Sequence, residues 1–147
     1  MEVINYYVCF LDYPMNFSIE WINSNAIVTM TGEVGFEEID FVNGKLYGDS
    51  RYERMEYQLF NMTDVEKFNL TARDFEMIGV LDRNSSIWNN RMKVAVVFRN
   101  EEMIRLMDFY KRAMKDTNWK IEVFRELDDA MNWCNGNLVG ELKLKNL

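Results

Sequence analysis

The residue types that carry most enzyme chemistry are thin in this chain. There is no histidine, so Ser-His-Asp and Cys-His nucleophile pairs lack their base. Zinc sites that use imidazole are excluded for the same reason. Two cysteines, Cys9 and Cys134, cannot build a four-thiolate site, and their separation fits no redox motif. Both read as reduced thiols, with Cys134 buried in a helix. Three adjacent acidic pairs, Glu37–Glu38, Glu101–Glu102 and Asp128–Asp129, carry the chemistry for magnesium binding or proton transfer. Neighbours in sequence do not share a helix face, so no pair converges on one atom. Two of the pairs fall at helix starts, where negative charge offsets the dipole. The segment Gly32-Glu33-Val34-Gly35 lacks the third glycine of a dinucleotide loop and the lysine of a P-loop. No catalytic residue, metal or cofactor is assigned.

Binding chemistry remains. Arg99 and Asn100 follow an apolar run, and Arg73 lies near the start of a helical pattern. At the carboxyl ends of parallel strands, such residues beside helix N-termini could hold an anion. The chain is also rich in soft and aromatic side chains, with 11 Met, 4 Trp, 7 Tyr and 10 Phe. Thioethers adapt to irregular shapes, so Met62, Phe75, Met77 and Met107 could line a pocket for a small apolar ligand. The same residues also make an ordinary core.

The bulk numbers limit the partners. The chain has 147 residues, 17 basic and 24 acidic, for a net charge of −7. An acidic chain does not neutralise phosphates, so nucleic acid is not an expected partner. The content of hydrophobic residues, 48% with one proline, belongs to a globular protein and not to a disordered or fibrous one. The length suits a single domain with a substantial core, placed at about residues 16–135. The apolar stretch from Tyr6 to Leu11 has no basic residues before it and is short for a leader. No stretch approaches the roughly 20 apolar residues of a membrane helix. A cytoplasmic location follows as the expectation.

The periodicity gives the elements that must position these residues. Phe17, Ile19 and Trp21 alternate with polar residues, and Ala26–Thr31 does so after the turn cluster Asn23-Ser24-Asn25. That pattern predicts an antiparallel hairpin. Phe36–Phe41 has a short helical pattern, with Gly44 and Gly48 beyond it, and Arg51–Glu56 reads as loop. Tyr57–Met62 is a third strand, and the polar stretch to Asn69 a connection. Thr71 begins a helix as its cap, with Asp74 three residues on and Phe75, Ile78 and Leu81 facing inward. Met92–Phe98 is nearly continuous and β-branched, the mark of a strand covered on both faces. Asn100 caps the next helix, acidic at its start and basic at its end. Trp119–Phe124 is a fifth strand, and a last helix through Ala130 and Cys134 stops at Gly136. In the tail 138–147, Leu142 and Leu144 alternate with lysines, so it could add an edge strand or an arm for a homodimer. The order is β-β-α-β-α-β-α-β-α. It predicts an α/β fold: a mixed, mostly parallel five-stranded sheet with an N-terminal hairpin and helices on its faces.

This order, with Lys93–Val97, Lys120-Ile-Glu-Val-Phe124, Asp129-Ala130 and Trp133, resembles the STAS family. It is most similar to the bacterial anti-sigma-factor-antagonist-like branch, related in shape to CRAL-TRIO lipid carriers. The resemblance covers about residues 16–135, in pattern more than identity. Members of that branch carry Asp-Ser-Ser/Thr-Gly where a strand meets the following helix, and a hydroxyl there is phosphorylated to switch partner binding. This chain reads Asn69-Leu70-Thr71-Ala72 in that region. The Asp, the second hydroxyl and the Gly are absent. Thr71 alone could stand in as phosphoacceptor, against a plain role as helix cap. The resemblance implies a non-enzymatic regulatory domain with a protein partner. The alternative is a carrier or sensor of a small, lipid-like ligand.

Overall fold

The computed structural model describes the backbone of residues 2–10 and 13–136, and the side chains of these residues apart from 7–10 and 13–16. The tail 138–147 lies outside the described residues. Among the described residues, seven strands and four α-helices run in the order β1 (Glu2–Phe10), β2 (Tyr13–Ile22), β3 (Asn25–Gly35), α1 (Phe36–Tyr47), β4 (Tyr57–Asn61), β5 (Val65–Asn69), α2 (Ala72–Ser85), β6 (Lys93–Val97), α3 (Glu101–Ala113), β7 (Lys120–Phe124) and α4 (Leu127–Cys134). One sheet holds all seven strands, in the order β1-β2-β3-β4-β6-β7, with β5 also paired to β3. The pairs β1–β2 and β2–β3 are antiparallel, and the other four are parallel. The mixed, mostly parallel sheet with helices on both faces is as expected. The expected count of five strands is corrected to seven.

The hairpin closes on Asn23-Ser24, with Asn23 in the left-handed region at φ 57°. Asparagine tolerates that conformation better than most residues, which fixes the register of β2 against β3. Asn25 then ties the hairpin to the next strand, since its Oδ1 accepts from the backbone N–H groups of Glu56 and Tyr57 at 2.8 and 3.1 Å.

The sheet divides the interior into two unequal cores. On one face, Phe17, Ile19, Trp21, Val28, Met30, Phe60, Val94 and Val96 pack under α1, α2 and α3. On the other, among the described residues, Tyr57, Leu59, Ala95 and Val97 form a smaller buried cluster with Ala130 and Cys134 of α4. β6 lies between β4 and β7, and Val94, Ala95, Val96 and Val97 are all buried. That is why its sequence is continuously apolar while β2 and β3 alternate.

Candidate functional site

The carboxyl ends of β4 and β6 and the start of α3 surround a surface hollow of about 420 Å³ that includes Arg99 and Asn100. Its walls also carry Lys67, Glu66 and Glu102, so its charge is mixed. Asn100 Oδ1 accepts from the Met103 backbone N–H at 3.1 Å, which closes the helix N-terminus with the chain's own side chain. Arg99 donates from Nη2 to Glu126 Oε2 at 3.3 Å and from Nε to the Arg125 carbonyl at 3.4 Å. Arg73 is exposed in the first turn of α2 and does not line the hollow. Of the three residues named for anion binding, Arg99 and Asn100 share the hollow and Arg73 stands apart from it.

Thr71 is an N-cap. Its Oγ1 accepts from the Asp74 N–H at 3.3 Å, and its own N–H donates to Asp74 Oδ2 at 2.8 Å. This reciprocal box satisfies two backbone donors of α2. The acidic pairs do not converge either. Glu38 is buried while Glu37 is exposed, and Glu101 is ion-paired with Arg125. Among the described residues, no group of three or more acids or cysteines could hold a metal ion. The Cys134 thiol is buried, and burial pushes its pKa up to about 12. It stays protonated and unreactive at neutral pH.

Met62, Phe75 and Met107 do converge, around a void of about 40 Å³ beneath α1, α2 and α3. Met77 does not join them; it faces outward on α2 and is 44% exposed. A void of this size takes a few water molecules and lies far below the roughly 300–1,000 Å³ of a small-molecule site.

The void also has a polar wall that the apolar reading missed. Asp82 of α2 is buried, and its Oδ2 accepts from the Tyr110 hydroxyl of α3 at 2.6 Å. Asn43 of α1 donates from Nδ2 to Asp82 Oδ1 at 3.5 Å. Burial pushes the Asp82 carboxyl up to about 7, against the Tyr110 bond that lowers it. Burial, with the Asp82 charge beside it, pushes the Tyr110 phenol well up. The cluster thus joins a buried acid to side chains of three helices, α1, α2 and α3. The sequence held a signal for it: Asp82 continues the inward face of Phe75 and Ile78, and Asn43 sits beside Val42 and Leu46.

The outer surface of α2 is more unusual. Met77 and Val80 are 44% and 41% exposed, and in the turn after the helix Ile87 and Trp88 are 79% and 69% exposed. Trp88 borders a groove of about 570 Å³ between α1, the single turn of 3-10 helix at Tyr52–Arg54 and the end of α2. Tyr47 and Tyr52, which meet edge to face at 5.3 Å, form part of its wall with Asp40, Asp49 and Glu53. The Tyr52 hydroxyl donates to Ser85 Oγ at 2.9 Å, fixing that wall to α2. The Tyr47 hydroxyl is buried without a hydrogen-bond partner. Asp49 is neutralised by Arg51, whose Nε donates to it at 2.8 Å and holds its carboxyl below the usual range.

No family model matches this chain, and no curated protein matches it. Among solved structures, the chain is similar to an uncharacterised protein of the DUF3478 family from Shewanella loihica PV-4, described as having a SpoIIAA-like fold. The two are 15% identical over 83% of this chain and 94% of the other, with a TM-score of 0.47.

Proposed function

We propose that this chain is a non-enzymatic protein-interaction domain that receives a partner on α2 and the turn after it. One observation carries the reading: Ile87 and Trp88 stand 79% and 69% exposed at the end of a helix whose outer face already shows Met77 and Val80. Clustered apolar side chains of this size in water mark contact surfaces, and tryptophan is the commonest anchor of such contacts. Scattered single residues would need no such account. A regulatory role follows if Thr71, at the start of the same helix, accepts a phosphate. The phosphate would gain from the helix dipole but would face the Asp74 carboxylate. The competing carrier reading needs a cavity for its ligand, and the apolar void holds about 40 Å³.

The test is capture of partners from host extract on the tagged full chain, compared with an Ile87→Ser/Trp88→Ser variant. Both residues are exposed, so the variant keeps its fold. The expected result is a partner held by the parent and lost, at least about tenfold, by the variant. Equal capture by both would remove α2 as the docking face. Thr71→Ala and Thr71→Glu chains in the same assay decide the phosphate switch, which requires the two to differ.

A further inference from the structure

We propose that the groove beside Trp88 receives a lysine or arginine side chain of the partner, so that the docking segment is basic with flanking apolar residues. The inference rests on the docking reading and adds the chemistry of the occupant. The groove carries Asp40, Asp49 and Glu53 on its walls and no basic residue. Asp49 is satisfied by Arg51. Asp40 and Glu53 are exposed and have no ion-pair partner among the described residues. Two unpaired carboxylates therefore border one concavity whose remaining wall includes Tyr47, Tyr52 and Trp88. Aromatic faces carry negative potential and attract cations, most strongly at tryptophan. Carboxylates and aromatic rings together select an ammonium or guanidinium and repel an anion.

The neighbouring surface explains why the cation comes on a protein chain. Trp88 belongs both to the groove and to the exposed apolar set with Ile87, Val80 and Met77, which needs apolar side chains to cover it. A segment with a basic residue beside leucine or isoleucine satisfies both surfaces at once. This chain uses the same chemistry within itself, since the Arg51 guanidinium lies 3.8 Å from the centre of the Trp21 ring.

The experiment uses the ¹⁵N-labelled full chain and two capped peptides of alternating leucine, with arginine in one and glutamate in the other. Binding is read from the Trp88 indole N–H and the backbone amides of Ser50 and Asn84. The arginine peptide is expected to shift these signals and to bind at least about tenfold more tightly than the glutamate peptide. Asp40→Lys/Glu53→Lys should abolish that preference. Asp108→Lys/Glu122→Lys, which changes net charge equally at exposed sites outside the groove, should keep it. Equal binding of both peptides, lost in Ile87→Ser/Trp88→Ser, would overturn the cationic occupant and leave the docking face standing. Binding of neither peptide, or an arginine preference that the two charge variants weaken alike, would also overturn it.

Discussion

Asp82 is an acid on the apolar face of a helix, and its surroundings set the sign of a pH effect. In the unfolded chain its carboxyl titrates near 3.8; in the folded protein burial raises it to about 7. Between these values the folded state holds a proton that the unfolded state has released. Stability therefore falls as pH rises from about 4 to about 7, by up to about 1.4 kcal/mol per unit from this group, and levels off above. The substitution Asp82→Asn keeps an acceptor for the Tyr110 hydroxyl and carries no charge. It is thus expected to flatten this part of the profile and to be more stable than the parent at pH 8. Urea midpoints from pH 4 to pH 8 measure it. Parallel profiles for the two proteins would mean that Asp82 stays ionised in the fold, contrary to its burial. A three-way polar contact replaces what hydrophobic periodicity would fill with leucine, and such contacts fix how helices sit against each other.

At the scale of elements, two glycines in helices should respond oppositely to the same change. A Cβ on Gly79 of α2 would lie 2.6 Å from the Ala113 Cβ and 3.0 Å from the Tyr110 carbonyl oxygen. These are backbone and near-backbone atoms of α3, so α2 and α3 must move apart. A Cβ on Gly44 of α1 meets nothing within 4 Å. Gly79→Ala is expected to cost about 1–3 kcal/mol, whereas Gly44→Ala should gain up to about 1 kcal/mol from helix propensity. Thermal or urea unfolding of both variants checks the signs; a stabilised Gly79→Ala would show that the helices are not in contact there.

The two glycines also show what the sequence could and could not tell. Gly44 makes the helix pattern after Phe41 read as broken, yet α1 runs on to Tyr47 because Val42 and Leu46 are fully buried. Tertiary burial outweighs the propensity loss of one exposed glycine. β5 reads as connection in the sequence because Glu66 and Lys67 separate its apolar residues Val65 and Phe68. It forms because β3 is long: β4 pairs with Ala26–Thr29, and β5 takes the free remainder from Gly32 to Gly35 across a bulge. The apolar N-terminal stretch is likewise spent within the chain, as β1 against β2. The buried strand β6 and the capped helices α2 and α3 were legible, since local pattern and caps agree with burial. The groove at Trp88 was not, because α1, the 3-10 turn and α2 bring its residues together from 48 positions apart in the chain, Asp40 to Trp88.

At the scale of the molecule, the unequal cores imply unequal stability. α1, α2 and α3 share one continuous apolar layer with the sheet, and each contributes buried residues to it. α4 spans only eight residues, has no side-chain cap, and buries Ala130 and Cys134 alone. Its outer attachment is the Trp133 ring, which packs on Phe124 at 5.7 Å and lies under the Lys93 ammonium at 5.4 Å. So little buried area stabilises one short helix by only a few kcal/mol at roughly 25 cal/mol per Å². α4 should therefore open in sub-global fluctuations while the sheet and the other helices stay closed. Native-state hydrogen exchange is expected to show the amides of residues 130–134 exchanging well before those of β4, β6 and α3. Trp133→Ala should speed α4 further and leave β6 unchanged. Exchange of α4 together with the slowest amides would show that its small core is coupled to the large one through the sheet. The proposed docking face on α2 belongs to the slow set under this ordering. A partner would then meet a preformed surface, and its association would not wait on a fold that has to open first.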